Sequence, residues 1–253
     1  MEYGICNLAV VPLRAEPNDR SEMVSQVLFG EAFEILEWKD KWVQITTAYD
    51  NYTGWIDRLQ FVMLAHLAYK RLLQTPPPVT FGAVTQAWKI IDNTVVHLPA
   101  GASLAFLEGT TSYIGNQKFE IIGTIGDTNS ILNIAKTFLN APYLWGGRTH
   151  FGIDCSGFTQ VVYKLRGIAL KRDASQQAEQ GELVDSVLKA KPGDLAFFNN
   201  PEGRITHVGI IMGGGKIIHA SGKVKIDSID TEGIYSEELK RHTHRLKAVK
   251  RYF

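Results

Sequence analysis

Cysteine is scarce. The 253 residues hold two, Cys6 and Cys155, far apart in the chain, which excludes a disulfide framework and a thiolate zinc site. Long apolar runs are missing too: no stretch approaches the roughly 20 residues of a membrane-spanning helix. Nor is charge of one sign in surplus. Twenty-seven Lys and Arg face 26 Asp and Glu, for a net +1, which argues against a protein built to coat nucleic acid or to insert into or cover a membrane. The start, Met1-Glu-Tyr-Gly-Ile-Cys6, has an acidic residue where a secretory signal carries positive charge, and no apolar core follows. The expectation is a soluble, cytoplasmic chain. Gly146-Gly147 and Gly213–Gly215 lie in no G-x-x-x-x-G-K-S/T or strand–GxGxxG–helix setting, so no phosphate cradle is expected.

With 45% hydrophobic and 21% charged residues, the chain can bury ordinary globular cores. Residues 1–64 read as a small β domain: Ala32–Glu37 and Trp42–Ile45 are short β-rich runs punctuated by Pro17, Gly30, Asn51 and Gly54. Residues 58–74 suggest a connecting helix, and Pro76-Pro77-Pro78 enforces an extended end to a 65–78 linker. A second β domain is expected over 79–126, where Gly101–Glu108 echoes Gly30–Glu37.

From 127 to 253 the pattern changes to α+β. Ile131, Leu132, Ile134, Ala135, Phe138 and Leu139 make one helical stripe, with Asp127 or Thr128 as cap and Pro142 as stop. Phe158, Val161, Val162 and Leu165 make a second stripe, closed by Gly167. Strands are expected at Asp194–Phe198, Ile205–Met212, Lys216–Ser221 and Leu246–Phe253.

Cys155 falls in the first turn of the second helix. A helix start carries about half a unit of positive charge and unpaired N–H groups, which favour a thiolate and can also receive an oxyanion. If Gly213–Gly215 form a three-residue hairpin loop, Gly209 faces His219 and His207 faces Ser221. Both imidazoles then project from one face, His207 placed as a base and His219 as its orienter. His242 and His244 read as neighbours on one strand face with no third ligand, so neither a metal nor a cofactor is expected. Lys240–Arg245 reads as a solvated turn.

Pro142-Tyr-Leu-Trp-Gly-Gly147, Asp154-Cys-Ser-Gly-Phe158, Arg172-Asp-Ala-Ser-Gln-Gln177, Pro192-Gly-Asp-Leu-Ala-Phe197, His207-Val-Gly-Ile210 and His219-Ala-Ser221, in that order, resemble the NlpC family of papain-like cysteine peptidases. The N-terminal half resembles the bacterial SH3-like domains often fused to it. The resemblance implies a catalytic set of Cys155, His207 and His219 and a murein peptide substrate. The layout looks most like the cytoplasmic γ-D-glutamyl-L-diamino acid endopeptidases of murein recycling, and this chain is expected to be a monomer. It further implies that Tyr143, Asp154 and Ser156 attend the substrate or the helix start, that Asp173 faces the substrate ammonium, and that Arg172 meets a carboxylate. Glu22 and Tyr52 would wall off the ammonium. The competing expectation is a secreted murein endopeptidase whose SH3-like modules bind polymeric wall.

Overall fold

The structure, a computed structural model, describes residues 1–123 and 130–253. They form two compact units, Met1–Thr128 and Asn129–Phe253. The expected caps Asp127 and Thr128 lie outside the described residues. Among those described, no helix is long and apolar enough to cross a membrane.

The first unit opens with an antiparallel sheet. Its strands run, in spatial order, Met23–Leu28, Val10–Arg14, Thr53–Asp57, Trp42–Thr47, Ala32–Lys39, Glu2–Ile5 and Val62–Leu64. Alternating apolar residues bury one face, so Val11, Leu13, Val27, Phe33, Val43, Ile45 and Ile56 close a small core. The connecting helix is shorter than expected, His66–Gln74, because Val62–Leu64 is used as a strand. A second sheet orders Thr111–Ile114, Gln117–Ile122, Thr85–Lys89 and Thr94–Leu98. The echo is of sequence more than of structure. Residues 32–39 form a strand, whereas 101–108 stay in turns and isolated bridges, their Ala102, Leu104 and Ala105 filling the core beneath Phe29 and Phe119.

The second unit begins with the helix Ile131–Thr137, capped by Ser130, whose hydroxyl accepts from the Asn133 N–H at 3.3 Å. The helix Cys155–Lys164 is buried along its whole length, and Gly167 follows at φ 74°. Against it lies an antiparallel sheet ordered Glu182–Val184, Arg241–Arg251, Leu195–Asn199, Ile205–Gly213, Lys216–Ser221, Lys223–Ile229, Gly233–Ser236. Its last member also pairs with Arg241–Arg251, curling the sheet back on itself. The expected solvated turn at Lys240–Arg245 is instead largely the first half of that long strand.

The hairpin carrying the histidines differs from expectation in an instructive way. Gly213 pairs with Lys216, leaving a two-residue loop of Gly214 and Gly215 at φ 60° and 67°. Such a loop alone would turn the two imidazoles to opposite faces. Met212, however, is bulged out of the ladder, and Ile211 pairs with Ile217 and Ile210 with Ile218. One extra residue compensates for the shorter loop, and the cofacial register survives.

Candidate active site

Cys155 is the first residue of its helix, with Asp154 as cap. Its Sγ lies 4.0 Å from the Thr206 carbonyl and receives hydrogen bonds from the N–H groups of Val208 and Ser156. The sulfur thus sits against the two residues that flank His207. His207 Nε2 meets His219 Nδ1 at 2.9 Å, and His219 Nε2 meets Asp227 Oδ2 at 3.1 Å. All four side chains are buried or nearly so, His219 completely.

The chain of acceptors fixes the tautomers. A carboxylate only accepts, so His219 Nε2 carries a hydrogen and its Nδ1 a lone pair. His207 Nε2 must then donate, which leaves His207 Nδ1 as the nitrogen free to take a proton. Gly209 makes room for this: a Cβ there would fall 2.9 Å from the Cβ of His219 and 2.8 Å from Ile217 Cδ1.

Asp227 was not anticipated from sequence. It lies on Lys223–Ile229, a strand whose lysines obscure its alternation. The hydrogen bond from His219 holds its carboxyl below the usual range. Asp227→Asn, whose side chain can equally donate, frees His219 to take either tautomer. It is expected to slow iodoacetamide alkylation of Cys155 near neutral pH by about tenfold. An unchanged rate would remove Asp227 from the relay.

The electrostatics correct one expectation. Burial pushes the Cys155 thiol up to about 12, and the Asp154 carboxylate adds to the rise, outweighing the helix start, the Val208 N–H and Arg172. Burial likewise holds His207 well below its ordinary value, and neighbouring His244 and His219 add to the effect. Neither a thiolate nor an imidazolium is stable here alone. Moving one proton from sulfur to imidazole creates the two charges together, each stabilising the other.

The remaining candidate residues fall into four groups. Arg172 does meet a carboxylate, but it is that of Asp154: Nη2 to Oδ2 is 2.6 Å and Nη1 to Oδ1 is 3.1 Å. Arg172 is 1% exposed and also donates to Ser156 Oγ at 2.8 Å, so its guanidinium is spent inside the protein and offers a substrate no face. Asp154 itself accepts from the Gly157 N–H at 2.7 Å and the Gly146 N–H at 2.8 Å. Asp154, Ser156 and Arg172 therefore hold the helix start and the Gly146 loop in register. Gln177 joins them, donating to the Ser156 carbonyl at 3.0 Å and accepting from Thr159 Oγ1 at 2.7 Å.

Tyr143 is brought to the sulfur's side. It is 36% exposed, and its phenol is pushed up to about 12, by burial first and then by Cys155 and Asp154. Leu144 and Trp145, which follow it in the sequence, are exposed. Asp173 is half-buried and caps the helix Ala174–Glu179 in a capping box with Gln176. Glu22 and Tyr52 belong to the first unit. Glu22 is exposed just before the strand Met23–Leu28, and Tyr52 packs half-buried on the core of the first sheet.

His242 and His244 do not share a face. Ile234 pairs with His244 and Tyr235 with His242, so Thr243 is bulged and the two rings point to opposite sides. His242 meets Asp230 Oδ2 at 2.9 Å on the outside. His244 turns inward, and ligand-type nitrogens of His207, His219 and His244 lie within 4.8 Å of one another. The rings of His207 and His244 are stacked with planes 27° apart, however. His207 Nε2 and His219 Nδ1 are bonded to each other at 2.9 Å, so the trio suits proton handling better than chelation.

Comparison with known proteins identifies the family. The NlpC/P60 family pattern matches residues 140–243, and that of the bacterial dipeptidyl-peptidase SH3 domain matches residues 13–60. A γ-D-glutamyl-L-lysine dipeptidyl-peptidase of Bacillus subtilis is 32% identical over 237 residues, covering 85% of this chain and 78% of that protein. Dipeptidyl-peptidase 6 of Lysinibacillus sphaericus is 26% identical over 261 residues, covering 90% of this chain and 92% of the other. An NlpC/P60 family crystal structure from Bacillus cereus superposes with a TM-score of 0.81 over 99% of both chains at 20% identity, a likeness of fold. The fold is thus that of a papain-like domain that follows SH3-like strands in the sequence, and the chain belongs to the NlpC/P60 family of cysteine peptidases.

Proposed function

We propose that the protein hydrolyses the amide between the γ-carboxyl of D-Glu and L-Lys or meso-diaminopimelate in murein peptides that begin with free L-Ala. The observation that carries this is the Cys155 thiol, held at a helix start against the strand of His207, with His207 chained through His219 to Asp227. The names of the Bacillus relatives support the choice of bond.

In this reading Sγ attacks the γ-carbonyl carbon as its proton passes to His207 Nδ1. The oxyanion is received by N–H groups of the helix start and by the Tyr143 hydroxyl. Collapse breaks the C–N bond, and His207 protonates the departing amine. Water, deprotonated by His207, then attacks the thioester and releases L-Ala-D-Glu with the thiol restored. Asp173 is assigned to the substrate ammonium, which must meet negative charge once it leaves water.

A free L-Ala terminus exists only after the stem peptide has been cut from its glycan. The reading therefore places the enzyme after an amide-cleaving release step, as a cytoplasmic monomer of peptide recycling. Acetylating the amino group of L-Ala-γ-D-Glu-L-Lys is expected to lower kcat/KM by about 100-fold or more, because the facing carboxylate loses its partner. Equal cleavage of blocked and free peptide, measured by mass spectrometry of the products, would refute the ammonium site.

A further inference from the structure

We propose that His244 is a positioning residue for this chemistry: its ring, laid flat on that of His207, holds the His207 imidazole in the plane its two working nitrogens need. His244 lies one residue beyond the 140–243 stretch that the family pattern matches.

The His207 and His244 ring centroids are 4.1 Å apart with planes 27° apart. His219 meets both rings edge-on, at 5.1 Å and 5.7 Å. Phe198 leans on His207 at 5.8 Å and on His244 at 6.0 Å. His207 is thus gripped at an edge by a hydrogen bond and on a face by His244. The hydrogen bond alone leaves the ring free to rock about that contact. A proton carrier must keep one nitrogen on His219 while the other serves the sulfur and then the leaving amine. Misplacement of such a group by about 1 Å can cost roughly 100-fold in rate.

Three features hold His244 in place. The bulge at Thr243 turns its side chain inward, and Thr243 Oγ1 lies 2.9 Å from His244 Nδ1. Gly233 lets the strands close there, since a Cβ at that position would fall 1.8 Å from the His244 carbonyl oxygen. Burial holds the His244 imidazole down at about 4, so near neutral pH it faces His207 as an uncharged ring.

The inference rests on the cysteine peptidase reading, so the test has a readout independent of the substrate. His244→Leu and His244→Phe in the full chain both place an apolar residue at the site, and only Phe keeps a flat face. His244→Leu is expected to lower kcat on L-Ala-γ-D-Glu-L-Lys by about tenfold or more with KM within about twofold, and to slow iodoacetamide alkylation of Cys155 in step. His244→Phe is expected to stay within about threefold of wild type in both measurements. Equal rates in the two variants, or a loss confined to thermal stability, would overturn the positioning role. If the wild-type enzyme cleaves no such tripeptide, the substrate reading falls, and the alkylation rates still decide the role of His244.

Discussion

Cys155→Ala is expected to fold and to lose cleavage of L-Ala-γ-D-Glu-L-Lys by about 10⁴-fold or more. Folding survives because alanine is the best helix former and stands here at the first helical position, behind an intact Asp154 cap. The vacated sulfur leaves a small gap worth about 1 kcal/mol. Catalysis does not survive, because every step runs through the thioester. His207 and the helix-start N–H groups remain, but water has no acyl-enzyme to attack. A circular dichroism spectrum like that of wild type, with product formation at background, is the expected pair of results. Cleavage within about tenfold of wild type would mean that the thiol is structural.

Arg172→Met should strike stability hardest. The Asp154 carboxylate is 5% exposed and loses both arms of its guanidinium partner. Breaking a buried pair from one side costs about 3–5 kcal/mol, because the remaining charge has no solvent to return to. For a unit of this size that lowers the thermal midpoint by roughly 10–20 °C. Adding Asp154→Asn should recover a large part of the loss. The amide oxygen can still accept from the Gly157 N–H, and no charge is left stranded. A single variant within about 1 kcal/mol of wild type would show that water reaches Asp154 and that the pair is weaker than its geometry implies.

Local order made part of this site readable from the sequence. Phe158, Val161, Val162 and Leu165 mark the buried face of the nucleophile helix, and Gly167 its end. The cofacial histidines were also reachable, although through a three-residue loop that the molecule replaces with a two-residue loop and a bulge at Met212. Bulges leave no periodic trace, so simple alternation puts His244 on the face of His242 where the folded strand separates them. Long-range partners were hidden for a different reason. Nothing in Arg172 says that its carboxylate is Asp154, or in Asp227 that it faces His219, until the chain is folded. The thiol illustrates the same limit. Its place at a helix start is local and argues for easy ionisation, whereas its burial is tertiary and pushes it up to about 12.

The account turns on a covalent bond between Cys155 and the substrate's γ-carbonyl carbon. Wild-type enzyme mixed with L-Ala-γ-D-Glu-L-Lys, quenched in acid within the first turnover and digested for mass spectrometry, tests it directly. The peptide containing Cys155 is expected to carry the mass of an L-Ala-D-Glu acyl group, lost on treatment with hydroxylamine. Full turnover with Cys155 unmodified at every quench time, and the same turnover after its alkylation, would contradict the account.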